Sequence, residues 1–439
     1  SHFDVNVVLD EREHLRAFII ELEEILGSKE KLDDVIIADL REICKKYSDE
    51  RRTVIEEAPQ DRIVIKKEDL IAKETVMVAV SRDGYVKRSS LNSWRSSNGQ
   101  AGAAPGLKAG DTLVYAGQCE STDTMLLFTN KGNYLYVPVH QLKVNKWLDE
   151  GQHINYAISL PADEKIISAF AVRKFRDDLN IVLLSRKGNI KRTKLSAFPV
   201  QRANKAFKAM KLLSSDEVVA AVLTSGNSDL LLFSRIGLAV FYNENCVPLS
   251  GTMSSGVKAA SFKGDECVTC LAFDPNENRK VLLLTDLGHT RVFSLSNINK
   301  TERLNKATIL FKSFKNEPHQ LVYACKAPAG DNATLLATLN DGSYKAITWE
   351  DFYLTPMEKY AKKPETKVLE KNQSIVYVHN RTSPLIDNSI KAYAPPVAPK
   401  PEEEESSTSM QEIQESLELK EQEETPKHFE QISIFDDDF

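Results

Sequence analysis

One repeated pattern constrains this chain more than any other feature: a short apolar run, a polar turn carrying a glycine, then a second run bearing basic residues. It is plainest at Ile181–Phe198, where Ile181-Val182-Leu183-Leu184 leads into Ser185-Arg186-Lys187-Gly188-Asn189 and a return run with Lys191 and Arg192. Four consecutive apolar residues read as a buried strand. Glycine supplies the positive φ that a tight turn needs and that other residues adopt only at a steric cost. The segment is therefore predicted to be a β-hairpin whose return strand turns its basic side chains outward.

Five further copies occur, at Val76–Ser90, Leu126–Leu142, Leu230–Tyr242, Val281–Ile298 and Leu335–Phe352. The six turn glycines (Gly84, Gly132, Gly188, Gly237, Gly288 and Gly342) follow one another at intervals of 48 to 56 residues. A period of that length, with several short strands per unit, is the signature of radial blades. One four-stranded blade cannot bury both its faces; six in a ring can. The expected fold is mainly β: a six-bladed propeller-like domain over 61–393, after a helical connector at 1–60 and before a proline-rich linker and acidic tail at 394–439. A β-sandwich with coincidental hairpins is the competing reading, and six evenly spaced copies weigh against it.

The net charge of −6 over 439 residues conceals three regimes: −7 over residues 1–60, +13 over 61–400 and −12 over 401–439. The repeat region is basic, which suits a polyanionic partner. No run of 18 apolar residues exists, so no membrane-crossing helix is expected, and no signal peptide is read at the start. Six scattered cysteines suggest reduced thiols in a cytosolic protein. Cys267-Val-Thr-Cys270 lacks a second pair or a histidine at ligand spacing, so core packing is expected there rather than zinc.

Asp10 and Glu13 are spaced as a capping box. Leu15, Ile19, Leu22 and Leu26 then form a helical stripe that Gly27-Ser28 stops, and a second helix is expected from Lys29 with Leu32, Ile36, Leu40, Ile43 and Tyr47 on one face. The pair reads as a helical hairpin or a piece of coiled coil packed on a segment upstream, so the sequence is read as starting inside a longer protein. After Tyr393, A-P-P-V-A-P-K-P is an extended linker, and Glu402–Glu424 is expected to be disordered, with a weak helical stripe through Met410, Ile413 and Leu417.

The hairpins resemble the β-pinwheel repeats of the A subunits of bacterial type IIA DNA topoisomerases. Asp49-Glu-Arg-Arg-Thr-Val-Ile55 is similar to that family's passage from coiled coil to C-terminal domain. Ser121–Gln152, with F-T-N-K-G-N-Y-L-Y-V-P-V-H-Q-L, is the most specific match and resembles the Gram-positive topoisomerase IV branch. The resemblance runs from Val7 to about Tyr393. It implies blades that pass strands to their neighbours and duplex DNA bent around a basic outer rim. It also implies a heterotetramer with a second A subunit and the topoisomerase IV B subunit, and a place on the nucleoid in the bacterial cytoplasm. ATP and Mg2+ would be used through the partner subunit, with no cofactor in this stretch. The gyrase branch carries a Q-R-R-G-G-(R/K)-G box in its first blade. The comparable loop here, Trp94–Gly106, keeps glycines but a single arginine, Arg95, which favours topoisomerase IV over a gyrase wrapping domain. The family's catalytic tyrosine sits in Arg-Tyr-Thr, which does not occur here, so no DNA cleavage is expected of this stretch alone. Tyr85 and Tyr134, beside turn glycines, are read as packing residues.

A curved rim of Lys and Arg can neutralise phosphates and release counterions without reading bases. The candidate contacts lie on return strands and the loops after them: Lys87, Arg88, Arg95, Lys131, Lys143, Lys146, Lys191, Arg192, Lys194, Arg202, Lys205, Lys208, Lys258, Lys263 and Arg291. The first three repeats are richest in them, so DNA is expected along that arc. His140 and His153 lack partner ligands and are read as structural or exposed. Tethered to a basic disc, the acidic tail is expected to compete with DNA. Its end, Gln431-Ile432-Ser433-Ile434-Phe435, resembles the pentapeptide with which bacterial proteins dock on the replicative sliding clamp, an extended peptide entering a groove. A protein-interaction scaffold with WD repeats is the alternative of another class. It predicts Trp-Asp endings, and none of the three tryptophans is followed by Asp. A free-standing enzyme is the weakest reading, since no nucleophile, base or metal cluster stands at recognisable spacing.

Overall fold

A computed structural model describes residues 5–49, 53, 71–97, 104–312, 315–327, 334–348, 369–379 and 384–395. The chain divides into two compact units, Ser1–Lys66 and Lys67–Phe439. The first holds two helices, Val5–Gly27 and Lys29–Tyr47. The expected capping box does not start the first helix. Nothing in Val5–Leu9 breaks a helix, so it already runs from Val5 and leaves Asp10 and Glu13 in its interior. The second helix starts as expected: Ser28 has extended backbone and its hydroxyl accepts from the Lys31 N–H at 3.4 Å. The Leu15, Ile19, Leu22 and Leu26 stripe is exposed. Ile63–Ile65, the acidic tail and Gln431–Phe435 lie outside the described residues.

The second unit contains six antiparallel sheets, one per repeat. Blade 1 consists of Thr75–Ser81, Tyr85–Ser90 and Leu113–Glu120; blade 2 of Thr124–Thr129, Asn133–Pro138 and Ile166–Val172. Blade 3 consists of Asn180–Ser185, Asn189–Lys194 and Val218–Thr224; blade 4 of Asp229–Ser234, Leu238–Asn243 and Cys267–Phe273. Blade 5 has Lys280–Thr285, Thr290–Ser294 and Leu321–Lys326, and blade 6 Thr334–Leu339, Tyr344–Thr348 and Ile375–Val378. All six turn glycines take positive φ, from 74° to 94°. In five blades a Ser or Thr hydroxyl before the turn accepts the N–H of the residue after the glycine, as in Ser81 from Tyr85 and Ser185 from Asn189, both at 3.0 Å. The first and third strands of every blade shift register just before that turn, leaving one extra residue in the third strand, a β-bulge. The third strands of blades 2 to 6 line a common central cavity of about 210 Å³.

Four blades complete themselves with a strand borrowed from the chain after the next hairpin. Gln152–His153 pairs with the return strand of blade 1, Phe207–Lys208 with that of blade 2, Val257–Lys258 with that of blade 3 and Thr308–Ile309 with that of blade 4. Each blade is thereby stitched to the next, as the resemblance implied. Five seams between successive blades are apolar, for instance Val78, Val80 and Val86 against Met125, Leu127 and Leu135. Between blades 6 and 1 the hydrogen bonds among the described residues form a polar joint. Thr112 and Thr338 share a hydrogen bond of 3.1 Å, the Leu113 N–H donates to His379 Nδ1 at 3.0 Å, and the Tyr344 hydroxyl donates to the Asp111 carbonyl at 2.7 Å. The ring is closed. The chain then straps back across blades 2 and 3. Buried Ile386 donates to the Ala171 carbonyl and accepts from the Arg173 N–H, both at 2.9 Å, and the Tyr393 N–H donates to Ser225 at 2.7 Å.

Handover of the borrowed strand leaves little room. Gly256, at φ +77°, brings the chain onto blade 3, and a Cβ there would lie 2.2 Å from the Ile190 carbonyl oxygen. Gly256→Ala is expected to lower stability by about 2–4 kcal/mol through this clash and the left-handed backbone, measured by urea unfolding.

Candidate nucleic-acid interface

Counting from each turn glycine orders the basic residues of the return strands. The third residue is Lys87 in blade 1, Lys191 in blade 3 and Arg291 in blade 5, and all three are buried. The expectation that they point outward is corrected. Both faces of these blades are covered, by neighbouring blades or, around Lys87 in blade 1, by the helix Leu91–Ser97 and the segment carrying Trp147, so alternation along the strand offers no open side. Lys87 Nζ donates to the carbonyls of Gly106 at 3.0 Å, Trp147 at 2.6 Å and Asp149. Lys191 Nζ donates to Ala209 at 2.8 Å and Gly251 at 2.6 Å, and Arg291 Nη1 to Leu310 at 2.7 Å. These cations pin the crossing loops from beneath. Burial pushes the Lys87 and Lys191 ammonium groups down from 10.5 to about 8, with Asp149 opposing the shift at Lys87, and pushes Arg291 down to about 10.

The fourth residue after the glycine is Arg88 in blade 1 and Arg192 in blade 3. Arg192 is also buried, which corrects its outward placement. Its Nη1 donates to Asn245 at 2.9 Å and lies 3.4 Å from the fully buried Glu244 carboxylate, a network completed by Thr224 at 2.7 Å and the Ser228 N–H at 2.7 Å. Arg88 is half-buried. Its backbone joins the loop over it, accepting from Asn145 N–H at 3.0 Å and donating to the Lys143 carbonyl at 3.2 Å.

The remaining candidates divide by exposure. Arg95, Lys143, Lys146, Lys194, Arg202, Lys205, Lys258 and Lys263 are exposed, and Lys131 and Lys208 are half-buried. Lys194 is tied to Asp177 at 2.7 Å, and Lys131 lies between Asp163 at 3.4 Å and Glu217 at 3.8 Å, so both carry less free charge. Apart from Arg95 and the ion-paired Lys194, the exposed candidates collect on the crossing segments that follow return strands: Lys143 and Lys146, Arg202 and Lys205, Lys258 and Lys263. Lys143 sits 4.9 Å over the Tyr156 ring and Lys205 5.5 Å over Phe207. Two residues of this surface are absent from the sequence reading. Tyr156 holds Lys143 in place and donates its hydroxyl to the Gln141 carbonyl at 3.2 Å. Lys300, exposed but tied to Asp229 at 2.6 Å, occupies in blade 4 the loop position that Val144 and Leu249 occupy in blades 1 and 3. Counting along the crossing loops from the borrowed strands would have found it.

His140 is half-buried, and burial with the nearby Arg88 charge holds its imidazole below the usual range. His153 is half-buried, with Nε2 2.8 Å from the Asp83 carbonyl and Nδ1 accepting from Asn155 at 3.2 Å. Tyr134 packs in the core and donates to the Phe198 carbonyl at 3.1 Å. Cys267 and Cys270 are buried in a strand of blade 4, and burial pushes the Cys267 thiol up to about 12. Among the described residues no group of three or more His, Cys, Asp or Glu is arranged to hold a metal, and no helix is long and apolar enough to cross a membrane.

The family described as DNA gyrase C-terminal domain, beta-propeller, matches residues 76–120, 123–173, 179–225 and 228–274, which are in turn the chain's own strands of blades 1 to 4. A solved structure, the C-terminal domain of DNA topoisomerase IV, is 30% identical with a TM-score of 0.62, and the match covers 70% of this chain and 93% of that one. The chain belongs to this family of topoisomerase C-terminal domains. The A subunit of DNA topoisomerase 4 from Bacillus subtilis is 34% identical over 79% of this chain and 42% of its own length. Its counterpart from Staphylococcus epidermidis is 31% identical over 73% and 40%. The chain thus spans about two fifths of the curated relatives it matches. Within the C-terminal domain described here, the crossing loops, rather than the return strands, carry the accessible charge.

A buried lysine whose folded pKa is depressed stabilises least where it must be charged in both states. Domain stability is therefore expected to rise as pH climbs from about 8 toward 10.5. Replacing Lys87 and Lys191 by Met is expected to flatten that rise, seen in urea unfolding at pH 7.5 and 9.5.

Proposed function

We propose that this chain is the DNA-binding and DNA-bending C-terminal module of a topoisomerase IV A subunit, holding duplex segments for decatenation and relaxation by an ATP-dependent holoenzyme. The observation that carries this reading is a closed ring with pinned crossing loops whose exposed lysines and arginines gather at 143–146, 202–208 and 258–263. Loops of that kind offer fixed cations to phosphates along a curved path. Chemistry on DNA would belong to residues outside this stretch. ATP and Mg2+ would act through the B subunit. Together with a second A subunit, it would complete the heterotetramer, in the bacterial cytoplasm on the nucleoid. The single Arg95 in the Trp94–Gly106 loop supports bending of crossing segments over the tight wrapping of the gyrase branch.

Binding to duplexes of increasing length across a salt series tests this reading. Affinity should grow with length and fall steeply with salt. Replacing Lys143, Lys146, Arg202 and Lys205 by Ala should reduce the salt slope by about 3 to 4, at roughly one per lost phosphate contact. The Lys191→Met variant should leave the slope unchanged, because that ammonium is turned into the blade. Weak, length-independent binding by the parent chain would favour a protein-interaction disc.

A second partner is proposed from the tail. Gln431-Ile-Ser-Ile-Phe435 has the glutamine and two apolar anchors of a sliding-clamp peptide in an acidic, proline-flanked setting. A peptide of residues 425–439 should bind purified clamp with micromolar affinity and lose it on replacing Gln431 and Phe435 by Ala. Failure to bind at high micromolar concentration would remove this partner.

A further inference from the structure

We propose that Arg88 seats one backbone phosphate of duplex DNA at the joint between blades 1 and 2, and that the same seat in blade 3 is filled from within by the Glu244 carboxylate. The inference rests on the DNA-binding reading above and gives it one defined contact.

Arg88 and Arg192 are equivalent residues. Each is the fourth residue after a turn glycine, and each lies opposite a valine of its hairpin, Val78 or Val182. Around Arg192 the positions are polar. The Glu244 carboxylate accepts from Asn180 Nδ2 at 3.1 Å and from the Thr224 hydroxyl at 2.7 Å. Arg192 Nη1 lies 3.4 Å from that carboxylate and donates to Asn245 Oδ1 at 2.9 Å. Blade 1 repeats the frame with other side chains. Val76 pairs with Cys119 as Asn180 pairs with Thr224. The Val139 N–H donates to the Asp123 carbonyl at 2.9 Å, as the Glu244 N–H donates to Ser228 at 2.8 Å. Val76, Cys119 and Val139 therefore stand where blade 3 has Asn180, Thr224 and Glu244, and all three are buried in the apolar seam. His140 stands where blade 3 has Asn245.

Blade 1 thus keeps the arginine and lacks its carboxylate. The Nε of both arginines is buried without an acceptor, so the two differ at their Nη atoms. Among the described residues no ion pair or side-chain hydrogen bond reaches the Arg88 guanidinium, which is half-buried. The acids next in sequence to Cys119 and along the same corner, Glu120 and Asp123, are committed to Arg173 at 3.2 and 3.0 Å. The groups that feel the Arg88 charge are the His140 and Tyr156 rings, and no carboxylate acts on either. Lys143 completes the cluster, its Nζ 4.9 Å over the Tyr156 ring and its carbonyl accepting from the Arg88 N–H at 3.2 Å. A guanidinium stays charged at any physiological pH, and a partly buried charge without a counter-ion is costly. An anion arriving from outside offsets that cost. A phosphodiester offers two oxygens to the guanidinium fork. Exposed Lys143 and Lys146 on the loop above continue the positive strip, which suits the line of charges along a nucleic-acid backbone better than a single acidic side chain.

The test uses the full chain and a duplex long enough to cross several blades. Affinity across a salt series and the melting temperature are measured for the parent, for Arg88→Gln and for Arg192→Gln. The Arg88→Gln variant should bind DNA about tenfold more weakly near 0.1 M salt and lose about one from the salt slope, as for one phosphate contact. Its melting temperature should not fall, because no carboxylate loses its partner. Arg192→Gln should do the reverse. It strands the buried Glu244 carboxylate, so the melting temperature should drop while the salt slope of the folded protein stays the same. An unchanged slope and affinity in Arg88→Gln overturns the inference, leaves the DNA reading intact, and turns the search toward an acidic peptide as occupant. A melting temperature lowered in Arg88→Gln as much as in Arg192→Gln also overturns it, by making Arg88 a structural residue. Absence of DNA binding by the parent removes the DNA reading and this inference together.

Discussion

Everything in the repeat domain depends on covering both faces of each blade. A four-stranded antiparallel sheet has two sides, and a lone blade has nothing to put against either. The chain solves this by stacking blades radially and by taking the outermost strand of blades 1 to 4 from the segment beyond the next hairpin. The exchange makes the order of blades a matter of backbone hydrogen bonding as well as of apolar packing. It also creates the long crossing loops, because the chain must travel from the end of one hairpin to the rim of the blade before it.

Those loops pose the second problem. They pass over the blade edge with carbonyls facing inward, and a buried carbonyl without a donor is costly. In blades 1, 3 and 5 the third residue after the turn glycine supplies the donor: Lys87, Lys191 and Arg291. Blades 2 and 4 carry Leu135 and Val240 in that register, both buried. Blades 1 to 5 thus alternate between pinning by a buried cation and packing with an aliphatic residue, whereas blade 6 carries the half-buried Lys345 in that register. Cations read as polyanion contacts are therefore part of the frame that holds the crossing loops in place.

This explains what was legible in the sequence and what was not. Hairpins, blade number and blade order were legible because each turn needs a glycine at positive φ and a Ser or Thr before it in five of the six, signals local enough to survive without tertiary context. The lone CxxC was read correctly as core for the same reason, since the strand-like run around Cys267 and Cys270 is a local signal. Side-chain direction was not legible. Assigning Lys87, Lys191, Arg192 and Arg291 to the outside assumed that one face of the hairpin meets water, which holds for an open sheet and fails for a blade between two others. Lys143, Lys146, Arg202 and Lys205 were placed outside correctly because they lie in loops, where no neighbouring sheet competes for them. The start of the first helix was missed because Asp10 tolerates a helix interior once apolar residues before it carry the helix on.

The closure of the ring differs from its other joints, and that difference has a physical consequence. Five seams exclude water with aliphatic side chains, whereas the seam between blades 6 and 1 relies on Thr112, Leu113 and Asp111 meeting Thr338, His379 and Tyr344 through hydrogen bonds. Hydrogen bonds exchanged against water contribute little net stability each, so this seam gains less from closure than its neighbours do. The strap compensates from a distance. By burying Ile386 against blade 2 and pairing Tyr393 with Ser225 of blade 3, the chain beyond blade 6 is fastened to blades that sit well inside the ring. Opening the polar seam widely would then require either lengthening the path from blade 6 to the strap or peeling Ile386 from its site. Closure is thus secured less by the interface that forms it than by a segment that reaches past it.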